Sequence, residues 1–201
     1  MSQAGAPARL GFLASSRGSN MQAIIDACRQ GRLPATPAVV ISNNADSGAL
    51  QRAAAEGIPG CHLSGRTHPD PHRLDQAIAD TLKDHRVDWV VLAGYMKKLG
   101  PVTLSTYRGR IINIHPALLP KFGGRGMYGM HIHAAVLAAG ETETGVTIHL
   151  VDDQYDTGRI LAQRRVPVYG DDTAEVLAAR VLEVEHEFYV ATLGRILSGD
   201  C

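Results

Sequence analysis

The sequence predicts an α/β fold in which a mostly parallel, twisted sheet is flanked by helices and the C-terminal half is less regular. In the first half of the chain, short apolar runs alternate with segments of helical periodicity. Such alternation is typical of strand–helix–strand units with right-handed crossovers. The run at 87–93 is almost continuously apolar, as expected for a strand that helices cover on both faces.

The N-terminal half alternates strands and helices in chain order. Strands are expected at 10–14, 37–41, 59–63, 87–93 and 110–115. Helices are expected at 21–29, 47–56, 72–85 and 101–107. The third helix follows from the helical spacing of Leu74, Ile78 and Leu82, and Pro101 favours a helix start at that residue.

The C-terminal half departs from this alternation. A glycine-rich segment at 123–129 is predicted to form a mobile loop. A helix at 131–139 follows, then strands at 145–151 and 159–166 joined by an acidic turn, and a long helix at 173–197. Because no internal repeat or low-complexity linker interrupts the chain, we expect one domain over 1–201.

Composition excludes several classes of protein. The 201 residues are 45% apolar and 20% charged, with a formal net charge of zero, which argues against a general nucleic-acid or membrane surface. No apolar run is long enough to span a bilayer, and residues 1–9 do not resemble a signal peptide. The three cysteines (Cys28, Cys61 and Cys201) form no C-x-x-C pair, so we expect no disulfide framework or cysteine zinc site, and a cytoplasmic location.

A polar pair ends the strand at 110–115. Asn113 and His115 lie two residues apart, so their side chains point to the same face of the sheet, and Pro116 stiffens the chain beyond them. An amide that stabilises an oxyanion beside an imidazole that acts as general acid or base suits acyl or formyl transfer. The alternative is a solvated amide and a histidine that caps a loop.

A second candidate site links the first strand to the first helix. Residues 15–20 read Ser-Ser-Arg-Gly-Ser-Asn, and the free N–H groups of a helix N-terminus attract anions. Gly18 permits close approach, while Ser19 and Asn20 supply side-chain donors. The loop matches neither nucleotide-binding glycine motif, which favours a phosphate monoester. The alternative is an ordinary helix cap by Ser19 or Asn20.

Three further groups stay ambiguous at this level. One carboxylate of the acidic turn could face His115 and raise its pKa, or the turn could simply be solvated; the candidates are Asp152, Asp153 and Asp156. A histidine set could bind zinc, although its spacing is not diagnostic; its members are His115, His131, His133 and His149. The charged group at 183–187 is either a solvated helix face or the source of a carboxylate that binds a sugar hydroxyl.

Four segments together resemble the folate-dependent formyltransferases. They are 15–22 (SSRGSNMQ), 92–99 (LAGYMKKL), 112–121 (INIHPALLPK) and 147–158 (TIHLVDDQYDTG). The Asn-x-His-Pro string is shared across that family, whereas the Gly-Ser-Asn loop is similar to that of its glycinamide ribonucleotide branch. The resemblance covers nearly the whole chain and implies a Rossmann-like sheet.

The resemblance also implies roles for individual residues. Asn113, His115 and Asp156 match catalytic residues, and His149 matches a supporting histidine. Gly18, Ser19 and Asn20 match a phosphate-binding loop, and Glu185 matches a ribose-binding carboxylate. The implied folate pocket comprises Met96, Lys97, Lys98, Leu99, Asn113, Asp152, Asp153 and Asp156. In this view the half at 10–110 binds phosphate and the half at 111–201 carries catalysis and folate binding.

The implied reaction transfers a formyl group from 10-formyltetrahydrofolate to the primary amine of 5'-phosphoribosylglycinamide, in purine (IMP) synthesis. Asp156 is expected to keep His115 charged, no metal is expected, and the enzyme is expected to be a monomer or homodimer that acts on small molecules. Alternatives are a related formyltransferase with another amine acceptor, a non-catalytic phosphate-binding module and a zinc hydrolase. Three departures stand out: a longer loop at 123–130, Pro71 where a folate-contacting arginine is expected, and Leu182 near the ribose site.

Overall fold

The computed structural model describes residues 6–200, which form seven strands and six helices. Cys201 and most of the N-terminal segment that was compared with a signal peptide lie outside these residues. The strands are β1 (Ala8–Leu13), β2 (Ala35–Ser42), β3 (Gly60–His62), β4 (Trp89–Leu92), β5 (Ile111–His115), β6 (Glu143–Leu150) and β7 (Ile160–Pro167). The helices are α1 (Ser19–Arg29), α2 (Gly48–Ala55), α3 (Pro71–Asp84), α4 (Pro101–Thr106), α5 (Met130–Ala138) and α6 (Ala174–Ser198).

All strands belong to one sheet with the order β3-β2-β1-β4-β5-β6-β7. The first five strands of the chain pair in parallel, whereas β5–β6 and β6–β7 pair antiparallel. The predicted mostly parallel α/β sheet is therefore confirmed. The irregular parts of the C-terminal half are the connection from β5 to α5 and the β6–β7 pair, whose register shifts between Ile148 and His149.

Alternate residues of the central strands build two apolar layers, one on each face of the sheet. Phe12, Val91 and Ile112 point into the larger layer, which packs on α1, α2, α5 and α6. Leu13 and Ile111 point the other way, towards α3 and α4. Both faces of the sheet are thus covered, which explains why all four residues of β4 and three of the five residues of β5 are apolar.

Element ends differ from the predictions by at most two residues, and two differences have clear causes. The predicted strand at 87–93 is shorter because the Val87 N–H donates to Leu82 O and still caps α3. The helix predicted at 21–29 begins at Ser19, because Gly18 turns the chain with φ 70° and its carbonyl accepts the first helical bond, from Gln22.

Cys28 and Cys61 are half-buried free thiols beside the core, and burial raises the pKa of Cys28 to about 11.

A buried carboxylate joins α3 to α4. Asp75 is 4% exposed, and its oxygens accept hydrogen bonds from Val102 N (2.7 Å), Thr103 N (3.1 Å) and Thr103 Oγ1 (2.6 Å). A Cβ atom on Gly100 would clash with this carboxyl group. Asp75 therefore caps α4 from a neighbouring helix and fixes the segment that follows residues 96–99.

We expect Asp75→Ala to lower the free energy of unfolding by about 2 to 3 kcal/mol, because two backbone donors and a buried hydroxyl lose their acceptor. Urea unfolding of the matched variant Asp80→Ala, on the exposed face of the same helix, should change stability by less than about 0.5 kcal/mol. Equal midpoints for the two variants would contradict the capping role.

Candidate active site

The candidate site lies where β1, β4 and β5 end beside one another. The Ser15 N–H donates to Gly94 O (3.0 Å), and Ser15 Oγ accepts from Met96 N (2.7 Å) and donates to Asn43 Oδ1. One serine therefore joins the loops that follow β1, β2 and β4. Crevices beyond the carboxyl ends of strands are the usual ligand sites of such sheets.

Strand pairing brings Asn113 and His149 together. They are direct partners in the β5–β6 register, and Asn113 Nδ2 lies 3.1 Å from His149 Nε2. His149 Nδ1 lies 2.8 Å from Leu150 O and must donate to it, so Nε2 of the neutral ring is an acceptor. This acceptor orients the Asn113 amide, whose second N–H remains available to a ligand.

His115 is 4% exposed and is held by the loop that follows it. Its Nε2 lies 2.8 Å from Phe122 O, which can only accept, so the neutral ring carries its proton on Nε2. Nδ1 then faces Asp156 Oδ1 at 3.6 Å. A proton taken up at Nδ1 would therefore lie opposite a carboxylate, which suits a general base.

Asp156 is the carboxylate of the acidic turn that reaches the histidines. Its Oδ1 is 3.6 Å from both His115 Nδ1 and His149 Nε2, and its Oδ2 accepts from Gly124 N (2.9 Å). Burial raises the pKa of Asp156, but the neighbouring His149, the positive charge that His115 carries when it is protonated and the Gly124 N–H together outweigh this effect, and the net pKa is below the usual range. The carboxylate is therefore charged at neutral pH.

The expectation that Asp156 keeps His115 charged is wrong. Burial lowers the pKa of His115 more than the Asp156 charge and the Phe122 carbonyl raise it, and the net pKa lies below its ordinary value. The imidazole is therefore neutral at pH 7 and ready to accept a proton. His115 is buried beside Asp156, and the cost of desolvating the imidazolium outweighs its attraction to the carboxylate.

The loop at 15–20 has free donors at the start of α1. Gly18 is the N-cap in a left-handed conformation and no side chain caps the helix, so the alternative of a cap by Ser19 or Asn20 is not observed. Burial raises the pKa of Glu185 in α6 to about 7, although the neighbouring Asn20 amide lowers it. Among residues 6–200, Asn20 Oδ1 is buried and has no hydrogen-bond partner, so one acceptor of this loop is left for a ligand.

The other predicted pocket residues divide by exposure. Met96, Lys97, Lys98 and Asp153 are exposed at the rim, whereas Leu99 packs in the apolar layer beside α3. Asp152 accepts from Gln154 N (3.0 Å) and Thr157 Oγ1 (2.9 Å) and so shapes the turn that carries Asp156. Lys98 Nζ lies 6.0 Å from the centre of the Tyr155 ring.

Among residues 6–200 no group of three or more histidine, cysteine, aspartate or glutamate side chains is arranged to hold a metal ion. His133 is buried, and burial followed by the nearby His115 lowers its pKa. His131 packs edge-on against Tyr128 instead. The zinc set considered from the sequence therefore does not converge. None of the helices within residues 6–200 is long and apolar enough to cross a membrane.

Sequence reasoning missed the groups that hold the β5 loop. Thr147, the partner of His115 in the register, donates to Ala117 O (2.7 Å) and accepts from Leu119 N (3.0 Å) and Gln163 Nε2 (2.9 Å). The contacts of Phe122 O and Gly124 N were also missed. Backbone groups carry no residue-type signal, so only the strand register, which pairs His115 with Thr147, could have indicated any of these contacts.

Known proteins resemble this chain over most of its length. The model of the formyl transferase family matches residues 8–193. A chloroplastic phosphoribosylglycinamide formyltransferase of Vigna unguiculata is 46% identical over 90% of this chain, although the chain spans only 58% of that relative's length. The phosphoribosylglycinamide formyltransferase of Haemophilus influenzae is 41% identical over 90% of this chain and 83% of its own.

Solved structures extend the likeness to three dimensions. Glycinamide ribonucleotide transformylase 1 of Symbiobacterium toebii superposes with a TM-score of 0.91 at 39% identity, covering 97% of this chain and 90% of its own. The phosphoribosylglycinamide formyltransferase of Bacillus halodurans gives 0.88 at 40% identity, over 94% of this chain and 95% of its own. With the site at the end of β5 and a family match across 8–193, this chain belongs to the formyl transferase family.

Proposed function

We propose that the protein transfers the formyl group of 10-formyltetrahydrofolate to the primary amine of 5'-phosphoribosylglycinamide in purine synthesis. The observation that carries this proposal is a chain of close contacts. Asn113 lies within hydrogen-bond distance of His149, and Asp156 lies within ion-pair distance of both His149 and His115. Its support is the similarity to relatives named for this reaction. We further propose that it works in the cytoplasm as a monomer or homodimer.

The folate co-substrate supplies an activated formyl carbon when it is bound. In net terms, a C–N bond forms between the amine and this carbon, the bond to folate N10 breaks, and one proton moves from the amine to N10. Asn113 would donate its free N–H to the formyl oxygen as negative charge develops there, an interaction worth about 3 kcal/mol in comparable sites.

His115 would take the proton of the attacking amine at Nδ1 and later release it towards N10. Asp156 stabilises the imidazolium that exists between those two events, because its carboxylate faces Nδ1. The low pKa of His115 keeps the base unprotonated before reaction. Binding both substrates in one cleft supplies the orientation that the transfer requires.

The two halves of the chain would share the ligands. We propose that 10–110 holds the phosphate through Gly18, Ser19 and Asn20, and that 111–201 carries catalysis and most folate contacts. There are two exceptions to this division. Glu185 of α6 belongs to the second half but would bind the ribose of the phosphorylated substrate. The exposed residues at 96–98 belong to the first half but would form one wall of the folate pocket.

The residues present fit a folate. Met96 and Tyr155 are large apolar side chains that are exposed, and together with the polar Asn113 they suit a flat heterocycle joined to a polar tail. Lys97 and Lys98 are exposed at the same rim and would attract an anionic tail. No residue near Pro71 is assigned to the role of the expected arginine.

We expect Asn113→Ala to lower kcat about 10²- to 10³-fold and His115→Ala about 10²- to 10⁴-fold, because the oxyanion donor or the base is lost. Asp156→Asn should also lower kcat, since the imidazolium loses its counter-charge. The measurement is a spectrophotometric assay with 10-formyl folate and phosphoribosylglycinamide. His72→Ala, at the exposed start of α3, is the matched control and should keep wild-type activity.

Two results would contradict the proposal. Full activity in His115→Ala would remove the proposed base. A folded wild-type protein that binds folate but does not turn over phosphoribosylglycinamide would point to another amine acceptor. Ligand binding without turnover of any amine would favour the non-catalytic phosphate-binding module.

The pKa of His115 is open to a direct test by NMR titration of histidine ring protons. We expect a midpoint below 6.5, because burial outweighs the Asp156 charge, and a still lower midpoint in Asp156→Asn, because that charge raises the pKa. The kcat at saturating substrates should therefore fall as pH drops below about 6.5 and stay level just above it. A His115 midpoint above 6.5, or a flat profile from pH 5 to 9, would contradict the assignment.

A further inference from the structure

The N-terminus of α2 lies directly behind the loop at 15–20 and contacts its backbone. Three successive carbonyls of this loop accept hydrogen bonds: Ser16 O from Ala49 N (2.9 Å), Arg17 O from Arg52 Nε (2.9 Å) and Gly18 O from Gln22 N (2.9 Å). All three carbonyls are therefore directed at donors within the protein.

The N–H groups of the same loop behave in the opposite way. Within residues 6–200, the N–H groups of Gly18, Ser19 and Asn20 have no protein acceptor. A loop that binds an anion needs this division, with its donors free and its carbonyls turned away. Asn20 Oδ1 is buried and has no hydrogen-bond partner among the same residues, which is a second sign that a ligand completes this site.

The loop at 15–20 packs closely against the start of α2, and two glycines make this close packing possible. Gly18 has φ 70°, and a Cβ there would lie 2.9 Å from Ala49 Cα. A Cβ on Gly48 would lie 3.0 Å from Arg17 O. The hydrogen bond from Arg52 Nε to Arg17 O differs from these contacts, because Arg52 is an exposed side chain. It can therefore be replaced without disturbing the core.

We propose that Arg52 is a positioning residue for the anion-binding loop. Its Nε–H holds the Arg17 carbonyl away from the anion and thereby sets the affinity for the phosphate end of the amine substrate. This inference rests on the proposed function and deepens it, since it assigns phosphate recognition to a side chain outside the loop. Arg52 acts through Arg17 and does not need to touch the ligand.

Three substitutions separate geometry from charge. In Arg52→Gln the amide nitrogen stands the same number of bonds from Cα as Nε of arginine, so the tie to Arg17 O is kept and the charge is lost. In Arg52→Lys the charge is kept, but the nitrogen lies one bond further out. Arg52→Met loses both. Arg29→Met is the matched control, because Arg29 makes a similar bond to Glu56 O (2.7 Å) at the far end of α1.

Two readouts are measured on the full chain. Calorimetric titration with inorganic phosphate should show about tenfold weaker binding in Arg52→Met and Arg52→Lys, and less than about threefold weakening in Arg52→Gln. The KM for phosphoribosylglycinamide should rise in parallel while kcat stays within about twofold, because Asn113 and His115 hold the reacting atoms. Arg29→Met should bind phosphate like the wild type.

Each contrary result overturns the inference. Recovery of affinity by Arg52→Lys but not by Arg52→Gln would show that the charge alone attracts phosphate. Unchanged affinity in Arg52→Met, or an equal loss in Arg29→Met, would remove the special role of the tie to Arg17 O. If the wild type binds phosphate as described but forms no formylated product, the proposed function fails and the inference about the loop stands.

Discussion

The antiparallel register between β5 and β6 is the constraint on which the site depends. It places Asn113 opposite His149 and His115 opposite Thr147. Because side chains alternate along a strand, a slip by one residue would turn these groups to opposite faces of the sheet. Ile114 and Ile148 hold the register from the apolar layer on the other side of the same strands. The apolar pattern thus fixes the polar geometry.

Desolvation by burial is the second constraint on the site, because it sets the protonation of two of its side chains. It lowers the pKa of His115, which favours the neutral imidazole at pH 7, and it raises the pKa of Glu185 to about 7, so this carboxyl is protonated far more readily than an exposed glutamate. Asp156 remains charged because two imidazoles and a backbone N–H surround it. A neutral base beside a permanent negative charge is a combination that a solvent-exposed arrangement of these residues would not produce.

Much of this fold could be predicted from hydrophobic periodicity, because β1, β2 and β4 are short, mostly buried apolar runs and the helices between them show helical spacing. The start of α1 shows the limit, since the left-handed Gly18 replaces a side-chain cap and the helix begins two residues early. The Asn113–His115 pair was predictable because both residues lie on one strand. Asp156 could not be chosen among three aspartates without the family resemblance, because its orientation depends on a turn with φ 57°. Phe122 O, Gly124 N and Arg52 were missed because they act through the backbone or across distant segments.

Ser15 has a wider consequence than its size suggests. It bonds to Gly94, Met96 and Asn43, so the loop before α1 and the segment that leads to residues 96–98 share one hydrogen-bonded hub. A ligand that shifts one of these segments changes the free energy of the other. By thermodynamic linkage the effect is reciprocal, so a ligand bound at one segment changes the affinity of the other segment for its ligand by the same factor as the reverse.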